Sequence, residues 1–387
     1  MKVATLNLGS ATVKLALAET DGVEAEVTRR RTVALDPDPA DGAALEDHVL
    51  EALEASRIRP GAVDAVGHRV VHGGREFTEP AVVGPEVEEA VGELVQLAPL
   101  HSPLALAGIG AARRYFPGRP MVAVFDTAFH AGRPEASRTY ALPRRLTEPA
   151  GLVRYGFHGI AHAALAESAA RAQGTGPGDV SAVTLQLGAG CSACAVRDGR
   201  SVETSMGATP LEGLVMPARS GDVGPGALLR MIPEAGGPER LEEVLAGGSG
   251  LKGLAGSADV RELLDREREG DGDAELALAV FVRRIVQTTG AYLTLLEGDG
   301  GVVFGGGIGS NSAEIRARVA DGLRAWDVEL DPGLNEGPAE GRISPPGRRP
   351  VYAFTTDEER LIARDTAGCL VREPTERTRE EGRTCLS

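Results

Sequence analysis

Residues 183–194, "VTLQLGAGCSAC", run from an apolar stretch through a turn of small residues into a second apolar stretch. This pattern is typical of a β-hairpin. The N-terminal residues 1–18, "MKVATLNLGSATVKLALA", repeat the plan, with Leu-Gly at 8–9 where the later segment has Leu-Gly at 187–188. Because the two copies lie about half a chain apart, we predict a duplicated α/β domain.

A third strand and turn follow in residues 301–323, "GVVFGGGIGSNSAEIRARVADGL". This segment predicts a buried strand, a glycine-rich loop and an amphipathic helix that opens between Ser310 and Ser312. The alternation of strands and helices along the chain indicates a layered α/β architecture. Apolar residues spaced three to four apart predict helices at 43–57, 85–97, 103–115, 160–173, 274–297 and 312–325.

The composition limits the classes of function. The chain has 387 residues, enough for two domains, and a formal net charge of −15. Proteins that bind DNA or RNA need a clustered basic face, so this charge argues against that class, although local arginines can still bind small anions. Four cysteines do not make a disulfide framework. We find no secretory leader pattern and no membrane-spanning apolar run, so the expected location is the cytoplasm.

Turns of small residues follow three of the predicted strands, at 9–10, 188–192 and 305–309. Such turns let the backbone approach phosphate oxygens and offer them N–H groups. A single turn of this kind is better explained as a structural hairpin, but three together favour a nucleotide site. None of them matches the Walker lysine pattern or the dinucleotide fingerprint.

Charged residues and a histidine lie where predicted loops begin. Asp126 ends an apolar strand pattern, and Arg69, His158 and Arg219 lie in glycine-flanked or irregular segments. Two arginines could hold a carboxylate and a transferring phosphoryl group, the aspartate could position a nucleophile or metal, and the histidine could donate to the transition state. Simpler explanations stay open, because Asp126 could cap the element that follows it and both arginines could form surface ion pairs.

Two further patterns are weak indications of metal or thiol chemistry. His158 and His162 are four residues apart, but "HGIAH" lacks the glutamate of the HExxH motif and no third ligand is apparent. Cys191 and Cys194 form a lone CxxC pair, and strand residues three apart face opposite sides. We therefore interpret both cysteines as small buried hydrophobic residues of the hairpin.

Several longer blocks occur in a characteristic order between Val3 and Thr366. They read "NLGSATVK", "GHRVVHGG", "LAPLHSP", "FDTAFH", "RYGFHGIAH", "LQLGAGCSACAV", "ETSMGATPLEGLVMPARSGD", "DVR", "GGGIGSNSAEIR" and "TTDEERLIARDT". This set resembles the acetate kinase family of the acetate and sugar kinase, Hsc70 and actin superfamily. The resemblance implies reversible transfer of the ATP γ-phosphoryl group to acetate or another short-chain carboxylate, with Mg²⁺, giving acyl phosphate and ADP.

The same resemblance implies an α/β fold of two actin-like (ribonuclease H-like) domains from a duplicated core, with an interdomain active-site cleft. The N-terminal domain is expected at 1–150, completed by 358–372, and the nucleotide-binding domain at 151–357. The polar tail 373–387 is expected to be disordered. Members of the family are usually homodimers, so a homodimer is the expected assembly.

Residue roles follow from the matched motifs alone. Asn7 and Glu358 resemble the family's metal-site residues, and its catalytic residues match Arg69, Asp126, His158 and Arg219. The acyl pocket is similar to a set formed by Arg69, Val71, Leu100, Phe157 and Pro210. The nucleotide-binding residues match Lys14, Gln186, Gly188, Ala189, Gly190, Asp259, Val260, Arg261, Gly306, Gly307, Ile308, Gly309, Ser310 and Asn311. The arginines would clamp carboxylate and phosphoryl oxygens, Asp126 would face the attacking carboxylate, and His158 would stabilise the transition state.

This chain departs from the family pattern mainly on the phosphate side. Its own residues at those positions are Ala11, Thr12, Gln186, Ala189, Pro217, Ala218 and Ser310. Loss of the usual histidine at 186 and asparagine at 189 removes two donors, each worth about 1–3 kcal/mol if it contacts a charged oxygen. Alternatives to an acetate kinase are therefore a kinase for another small carboxylate, one with a donor other than ATP, or a weakly catalytic paralogue that binds nucleotide or acyl phosphate.

Overall fold

A computed structural model of the protein describes residues 1–9, 12–35, 42–96, 102–296, 298 and 300–384. The chain separates into two compact units, one formed by Met1–Phe129 with Asp357–Ser387 and the other by His130–Thr356. The first boundary thus lies before residue 130, whereas the sequence placed it after residue 150. The reason is local: His130 bonds to Ser201, and the Arg133 guanidinium donates to the Arg154 carbonyl, so this segment belongs to the second unit.

The first unit contains a six-stranded sheet in the order β3-β2-β1-β4-β6-β5. Its strands are β1 (Lys2–Leu8), β2 (Thr12–Thr20), β3 (Ala25–Ala34), β4 (Ala65–Val70), β5 (Ala81–Val82) and β6 (Met121–Phe125). Strands β1, β2 and β3 form an antiparallel meander, while β4 and β6 run parallel to β1. The edge strand β5 is antiparallel to β6.

The second unit contains another six-stranded sheet, in the order β11-β12-β10-β7-β8-β9. Its strands are β7 (Ala182–Leu187), β8 (Cys191–Arg197), β9 (Arg200–Thr204), β10 (Gly301–Gly305), β11 (Glu340–Arg342) and β12 (Val351–Phe354). Again three antiparallel strands are followed by two that run parallel to the first, with an antiparallel strand at the edge. The predicted duplication and both predicted hairpins are confirmed.

The two hairpins differ in the length of their turns. In the first, Leu8 pairs with Val13, so four residues separate the partners. In the second, Leu187 pairs with Cys191, and three residues separate them. Position 14 and position 192 consequently occupy the same place in the register, opposite Asn7 and Gln186.

The α-helices are distributed over both units. In chain order they are α1 (Gly42–Ser56), α2 (Pro85–Glu93), α3 (Ser102–Tyr115), α4 (Glu135–Arg138), α5 (Arg144–Thr147), α6 (Gly159–Gln173), α7 (Pro225–Ala235), α8 (Pro238–Gly247), α9 (Gly250–Ala255), α10 (Val260–Arg268), α11 (Gly272–Leu293), α12 (Gly306–Asn311), α13 (Ala313–Gly322), α14 (Pro332–Glu336) and α15 (Glu358–Thr384). Each of the six predicted helices has a counterpart within a few residues, whereas α4, α5, α7 to α10, α12, α14 and α15 were not predicted. None of the described helices combines the length and the apolar character that crossing a membrane requires.

Helix α15 closes the first unit by packing on β1, β2, β4 and β6. Leu361, Ile362 and Ala363 are buried on it. A β-carbon at Gly67 of β4 would lie 2.3 Å from the Thr366 hydroxyl oxygen, so glycine is required for this close approach. The helix is assigned from Glu358 to Thr384, and the expectation of a disordered tail at 373–387 stays a prediction.

The glycine-rich segment after β10 differs from the predicted loop. Helix α12 begins at Gly306, directly after the strand. Gly306 has a φ of +75°, and a β-carbon there would lie 2.4 Å from the Leu187 carbonyl oxygen. Glycine therefore permits a left-handed residue in contact with the second hairpin, and the following residues are free to turn at once into a helix.

Candidate active site

Three polar residues of the first unit lie together at one edge of its sheet. Asn7 is near the end of β1, Arg69 near the end of β4, and Asp126 directly follows β6. Because these neighbouring strands are parallel, their carboxyl ends meet at the same edge. Arg69 donates from Nε to Asp126 Oδ2 at 3.0 Å and from its Nη1 to Asn7 Oδ1 at 3.2 Å.

The pair of Arg69 and Asp126 is buried. Asp126 has no exposed surface, and the Arg69 side chain is 12% exposed. Burial by itself would lower the pKa of the Arg69 guanidinium, but the negative charge of Asp126, together with Glu358 and Glu359, raises it above its ordinary value. Arg69 therefore stays charged, and the alternative that it forms a surface ion pair is wrong.

Two adjacent carboxylates at the start of α15 face Asn7. Asn7 Nδ2 donates to Glu358 Oε2 at 2.8 Å and to Glu359 Oε1 at 3.2 Å. Lys14 Nζ lies 3.9 Å from Glu358 Oε2. Burial, then the charge of Glu358, raises the pKa of Glu359. Sequence reasoning singled out Glu358 alone, although the adjacent acid in "DEER" was a visible signal for Glu359.

This group fits a magnesium ion in its chemistry. Mg²⁺ prefers oxygen ligands and binds through one or two carboxylates while retaining water and substrate oxygens. Glu358 and Glu359 supply two largely buried carboxylates. The Asn7 amide oxygen accepts from Arg69, so Asn7 would have to turn its amide to offer that oxygen to the ion. In the described part of the chain no cluster of three or more His, Cys, Asp or Glu side chains is placed to hold a metal ion.

The predicted acyl-pocket residues fall in both units. Val71 directly follows β4 and is buried close in sequence to Arg69. Phe157 and Pro210 belong to the second unit, where Phe157 is buried and its carbonyl bonds to His130 Nε2 at 3.0 Å. Leu100 lies outside the described residues.

In the second unit, His158 and Arg219 converge on one glycine. His158 precedes α6 in a left-handed conformation with φ 60°, and its Nδ1 lies 2.9 Å from Ser192 Oγ. A β-carbon at Gly190 would lie 2.9 Å from His158 Cε1 and 3.8 Å from Arg219 Nη1. The turn between β7 and β8 is thus flanked by an imidazole and a guanidinium, and only glycine leaves room for both.

Arg219 has weak support from the protein. Its Nη1 reaches the Pro210 carbonyl at 3.5 Å, and no carboxylate in the described ranges forms an ion pair with it. Burial lowers the pKa of this guanidinium, an effect that the Cys191 thiol only partly opposes. The alternative of a surface ion pair is wrong here too, because Arg219 is partly buried and forms no ion pair in the described ranges. This arrangement is expected of an anion-binding group.

An open cavity of about 860 Å³ lies beside the same turn. Eight of the predicted nucleotide-binding residues line it: Gly188, Ala189, Asp259, Val260, Arg261, Gly307, Ile308 and Asn311. Asp259 caps α10 by accepting from the backbone N–H of Arg261, whose side chain also donates to it. The hydrogen bonds from Arg261 lower the pKa of Asp259 to about 2, so its carboxylate is charged.

Other predicted nucleotide residues do not line the cavity. These are Lys14, Gln186, Gly190, Gly306, Gly309 and Ser310. Lys14 belongs to the first unit. The Ser310 hydroxyl is buried and donates to the Phe354 carbonyl at 2.8 Å, and Gln186 Oε1 accepts from the Thr356 hydroxyl at 2.9 Å. Two of the departures from the family pattern therefore serve the protein's own backbone and side-chain contacts.

Sequence reasoning missed Arg316, a buried arginine that holds α12. Its Nη1 donates to the Gly309 and Ser310 carbonyls at 2.9 and 2.8 Å, and its Nε donates to Asn335 Oδ1 at 2.8 Å. These carbonyls end the short helix that lines the cavity, where they lack intrahelical partners. A charged residue on the apolar face of α13, next to the buried Ile315, was the available signal.

The cysteine and histidine patterns have structural explanations. Cys191 and Cys194 are buried, and burial raises the pKa of each thiol to about 12. Their interpretation as small buried residues is confirmed. His162 bonds to Thr184 and Ser192 hydroxyls, so it is engaged in a hydrogen-bond network.

The chain matches the model of a known protein family over almost its whole length. The sequence model described as "Acetokinase family" matches residues 4–364. The chain belongs to the acetokinase family. As a member it is a phosphotransferase with a carboxyl group as acceptor, so the family expected from the motif order, the fold class and the type of enzyme are confirmed.

Named relatives agree with this membership of the acetokinase family. An acetate kinase of Micrococcus luteus is 41% identical over 384 residues, covering 95% of this chain and 98% of that protein. The crystal structure of Porphyromonas gingivalis acetate kinase superposes with a TM-score of 0.82 at 35% identity, covering 95% of this chain and 99% of the other. A propionate kinase from Francisella tularensis subsp. tularensis SCHU S4 gives 0.81 at 32% identity, covering 94% and 98%.

Proposed function

We propose that this acetokinase transfers the γ-phosphoryl group of ATP to acetate or propionate, reversibly and with Mg²⁺. The observation that carries the proposal is the convergence of Arg219 and His158 on Gly190, beside the cavity. A guanidinium that meets no carboxylate in the described part of the chain and an imidazole at the same turn suit a phosphoryl group, whose oxygens carry the charge in transfer. The acceptors follow the names of the relatives, an acetate kinase and a propionate kinase.

The acceptor is bound by apolar side chains and an arginine. Val71 of the first unit is buried, and in the second unit Phe157 is buried and Pro210 partly buried, so each of the three is an apolar side chain with no polar group to leave unpaired. Arg69 would hold the acceptor carboxylate, since Asp126 fixes the guanidinium and leaves it charged. Arg69 is therefore suited to an anionic head, and the apolar side chains are suited to a short alkyl group.

The chemistry requires no strong base. A carboxylate oxygen of the acceptor attacks the γ-phosphorus, the bond to the β,γ-bridging oxygen breaks, and ADP leaves with that electron pair. Arg219 and His158 stabilise the charge on the transferring oxygens, and Arg69 orients the nucleophile. Asp126 orients Arg69 and removes no proton. Bound Mg²⁺, held through Asn7, Glu358 and Glu359, would supply charge neutralisation on the phosphate chain.

The cavity beside Gly188 is the proposed adenosine side of the site. Its volume of about 860 Å³ lies within the range of small-molecule pockets. A β-carbon at Gly188 would lie 3.6 Å from the Gly190 carbonyl and 3.7 Å from the Gly307 nitrogen, so the backbone of the turn is open to an approaching ligand. Gly307 is at the start of α12, whose first N–H groups can meet phosphate oxygens.

Gly307→Leu tests the nucleotide assignment. A side chain there meets no protein atom within 4 Å and would extend into the cavity. We expect the KM for ATP to rise about tenfold or more, with little change in the KM for the carboxylate or in Tm. Gly272→Leu is the matched control, because it lies in the first turn of α11 with equally open surroundings. Equal ATP kinetics in the two variants would refute the assignment.

A hydroxamate assay for acyl phosphate tests the proposed reaction directly. Acetate, propionate, butyrate and a dicarboxylate are supplied in turn with ATP, GTP or pyrophosphate. The proposal predicts the highest kcat/KM with ATP and acetate or propionate, and a loss of product without Mg²⁺. Turnover with pyrophosphate alone would instead assign another donor. That outcome would agree with the side chains of Gln186 and Ser310, which bond to Thr356 and Phe354. Nucleotide binding without turnover for any pair would identify a binding protein.

We also infer a homodimer in the cytoplasm, where ATP is available. Helix α7 supports the dimer, because none of its residues is buried. Its apolar residues are also exposed, Leu229 to 70% and Met231 to 38%. An amphipathic helix with an uncovered apolar face is typical of an interface between subunits. Light scattering at micromolar concentration should give twice the mass of one chain, and a monomer would refute this inference.

A further inference from the structure

We propose that Ser192, His162 and Thr184 form a hydrogen-bonded relay that fixes the tautomer of His158, so that this ring donates to the phosphoryl group only as an imidazolium. The inference rests on the proposed function for the role of His158, but the relay itself is a property of the fold. Ser192, His162 and Thr184 are positioning residues, since they act through His158.

One hydroxyl joins the two imidazole rings. Ser192 Oγ lies 2.9 Å from His158 Nδ1 and 2.8 Å from His162 Nε2. The other nitrogen of His162, Nδ1, lies 2.7 Å from Thr184 Oγ1. Ser192, His162 and Thr184 have no exposed surface, so bulk water does not compete for these bonds. Each hydroxyl has a single hydrogen, which makes the direction of every bond in the relay depend on its neighbours.

The direction is set at the threonine end. Thr184 Oγ1 donates to the Cys194 carbonyl, the residue paired with it across the β7–β8 ladder, at 3.4 Å. With its hydrogen used there, the Thr184 oxygen accepts from His162 Nδ1–H. Burial holds the pKa of His162 well below its ordinary value, so this ring is neutral and carries one hydrogen. His162 Nε2 is therefore an acceptor.

The remaining two bonds follow by elimination. Ser192 donates its only hydrogen to His162 Nε2, which leaves its oxygen to accept from His158 Nδ1–H. The proton of a neutral His158 ring is consequently on Nδ1. The opposite edge of the ring faces the turn, since a β-carbon at Gly190 would lie 3.1 Å from His158 Nε2. A neutral His158 would thus present a lone pair where phosphoryl oxygens are expected, and only the doubly protonated ring can donate.

Neighbouring groups act on this protonation from several sides. Arg219 approaches the same glycine from its loop and opposes a second cation, while the buried Cys191 thiol of β8 is neutral. On α6, His162 is neutral, and the His130 ring behind it, 5.8 Å away between centroids, has its pKa lowered by burial to about 3. Phosphoryl oxygens are the anions that favour the imidazolium. Activity should therefore fall once the pH is high enough to remove the second proton from the ring.

Thr184→Val removes the acceptor that sets the direction, with almost no change in shape. The Nδ1–H of His162 then has no acceptor, and the ring keeps its N–H bonded only by moving the proton to Nε2, where it donates to Ser192. Ser192 in turn donates to His158 Nδ1. The neutral His158 ring of the variant should carry its proton on Nε2. We expect the kcat of the native enzyme to fall about tenfold per pH unit on the alkaline side, and we expect this limb to flatten in the variant.

The measurement uses the full-length enzyme labelled with ¹⁵N-histidine, with two-bond ¹⁵N–¹H spectra that distinguish Nδ1–H from Nε2–H and His158→Gln for assignment. Thr5→Val is the control, because Thr5 lies at the equivalent place of β1 and its buried hydroxyl has no hydrogen-bond partner in the described part of the chain. It should leave both readouts unchanged.

The relay is supported if neutral His158 carries its proton on Nδ1 in the native protein and on Nε2 in Thr184→Val. It is overturned if the neutral His158 ring of the native protein carries the proton on Nε2. This measurement uses the native protein alone, so it does not depend on whether a variant folds. It is also overturned if Thr184→Val alters neither the tautomer nor the pH profile. Since the spectra do not depend on turnover, an inactive enzyme with the expected tautomers would refute the proposed function and leave the relay intact.

Discussion

Replacing Arg219 by alanine is expected to lower kcat about 10³-fold or more while the free energy of unfolding changes little, as for an arginine that contacts the transferring phosphoryl group. The physical reason is that Arg219 makes one long hydrogen bond to the protein, to the Pro210 carbonyl at 3.5 Å, and so contributes little to the folded state. Its removal even relieves a largely buried charge without an anionic partner.

Acyl phosphate formation and thermal unfolding should be measured on the same preparations. Arg219→Lys separates charge from geometry, because lysine keeps the positive charge but lacks the planar fork that binds two oxygens. Arg171→Ala is a matched control, since this arginine is on the exposed end of α6 in the same unit. Near-native turnover in Arg219→Ala would remove Arg219 from the mechanism.

Asp126→Ala should affect both turnover and stability. Asp126 is fully buried and accepts from Arg69, so its loss leaves a buried guanidinium without its principal counter-charge. Breaking a buried ion pair in this way destabilises a protein by about 3–5 kcal/mol. The kcat should also fall by about 10²-fold or more, because Arg69 loses the contact that fixes its orientation towards the acceptor carboxylate.

A double-mutant cycle identifies the source of the destabilisation. The double variant Arg69→Ala/Asp126→Ala removes both charges. We expect it to be more stable than Asp126→Ala alone and to remain inactive. Urea unfolding of the four proteins gives the coupling free energy. If the single and double variants were equally stable, the destabilisation would arise from lost packing, and the proposed pairing of charges would not be responsible.

The fold was largely predictable because its signals are local. The hairpin at 183–194 and its N-terminal copy show apolar strands and small turns directly in the sequence, and both form as expected. Helices α7 to α9 were missed because their segments contain glycine or proline, which obscures the apolar period. Helix α10 was missed although Val260, Leu263 and Leu264 show helical spacing in the sequence. Helix α15 was missed because its charged second half masks the buried Leu361 and Ile362 of its first half.

The candidate site was predictable in its residue types and less so in its contacts. Asp126 and Arg69 were identified, but their bond joins residues 57 positions apart and depends on strand pairing that the sequence does not display. Ser310 and Gln186 were assigned to the nucleotide by position, whereas their side chains bond to Phe354 and Thr356. Position in a motif indicates where the backbone lies, while tertiary packing decides which way a side chain turns.

The difference in turn length between the two hairpins has a consequence for engineering. Lys14 and Ser192 occupy matching register positions, yet one faces a carboxylate and the other joins two imidazoles. A chimaera that exchanges the two hairpins would therefore keep the sheet topology. It would place the Lys14 ammonium where the Ser192 hydroxyl contacts His158 and His162. The duplicated halves keep a similar fold, but their side chains are not interchangeable. Directed recombination within this enzyme should therefore leave the second hairpin, with its shorter turn, intact.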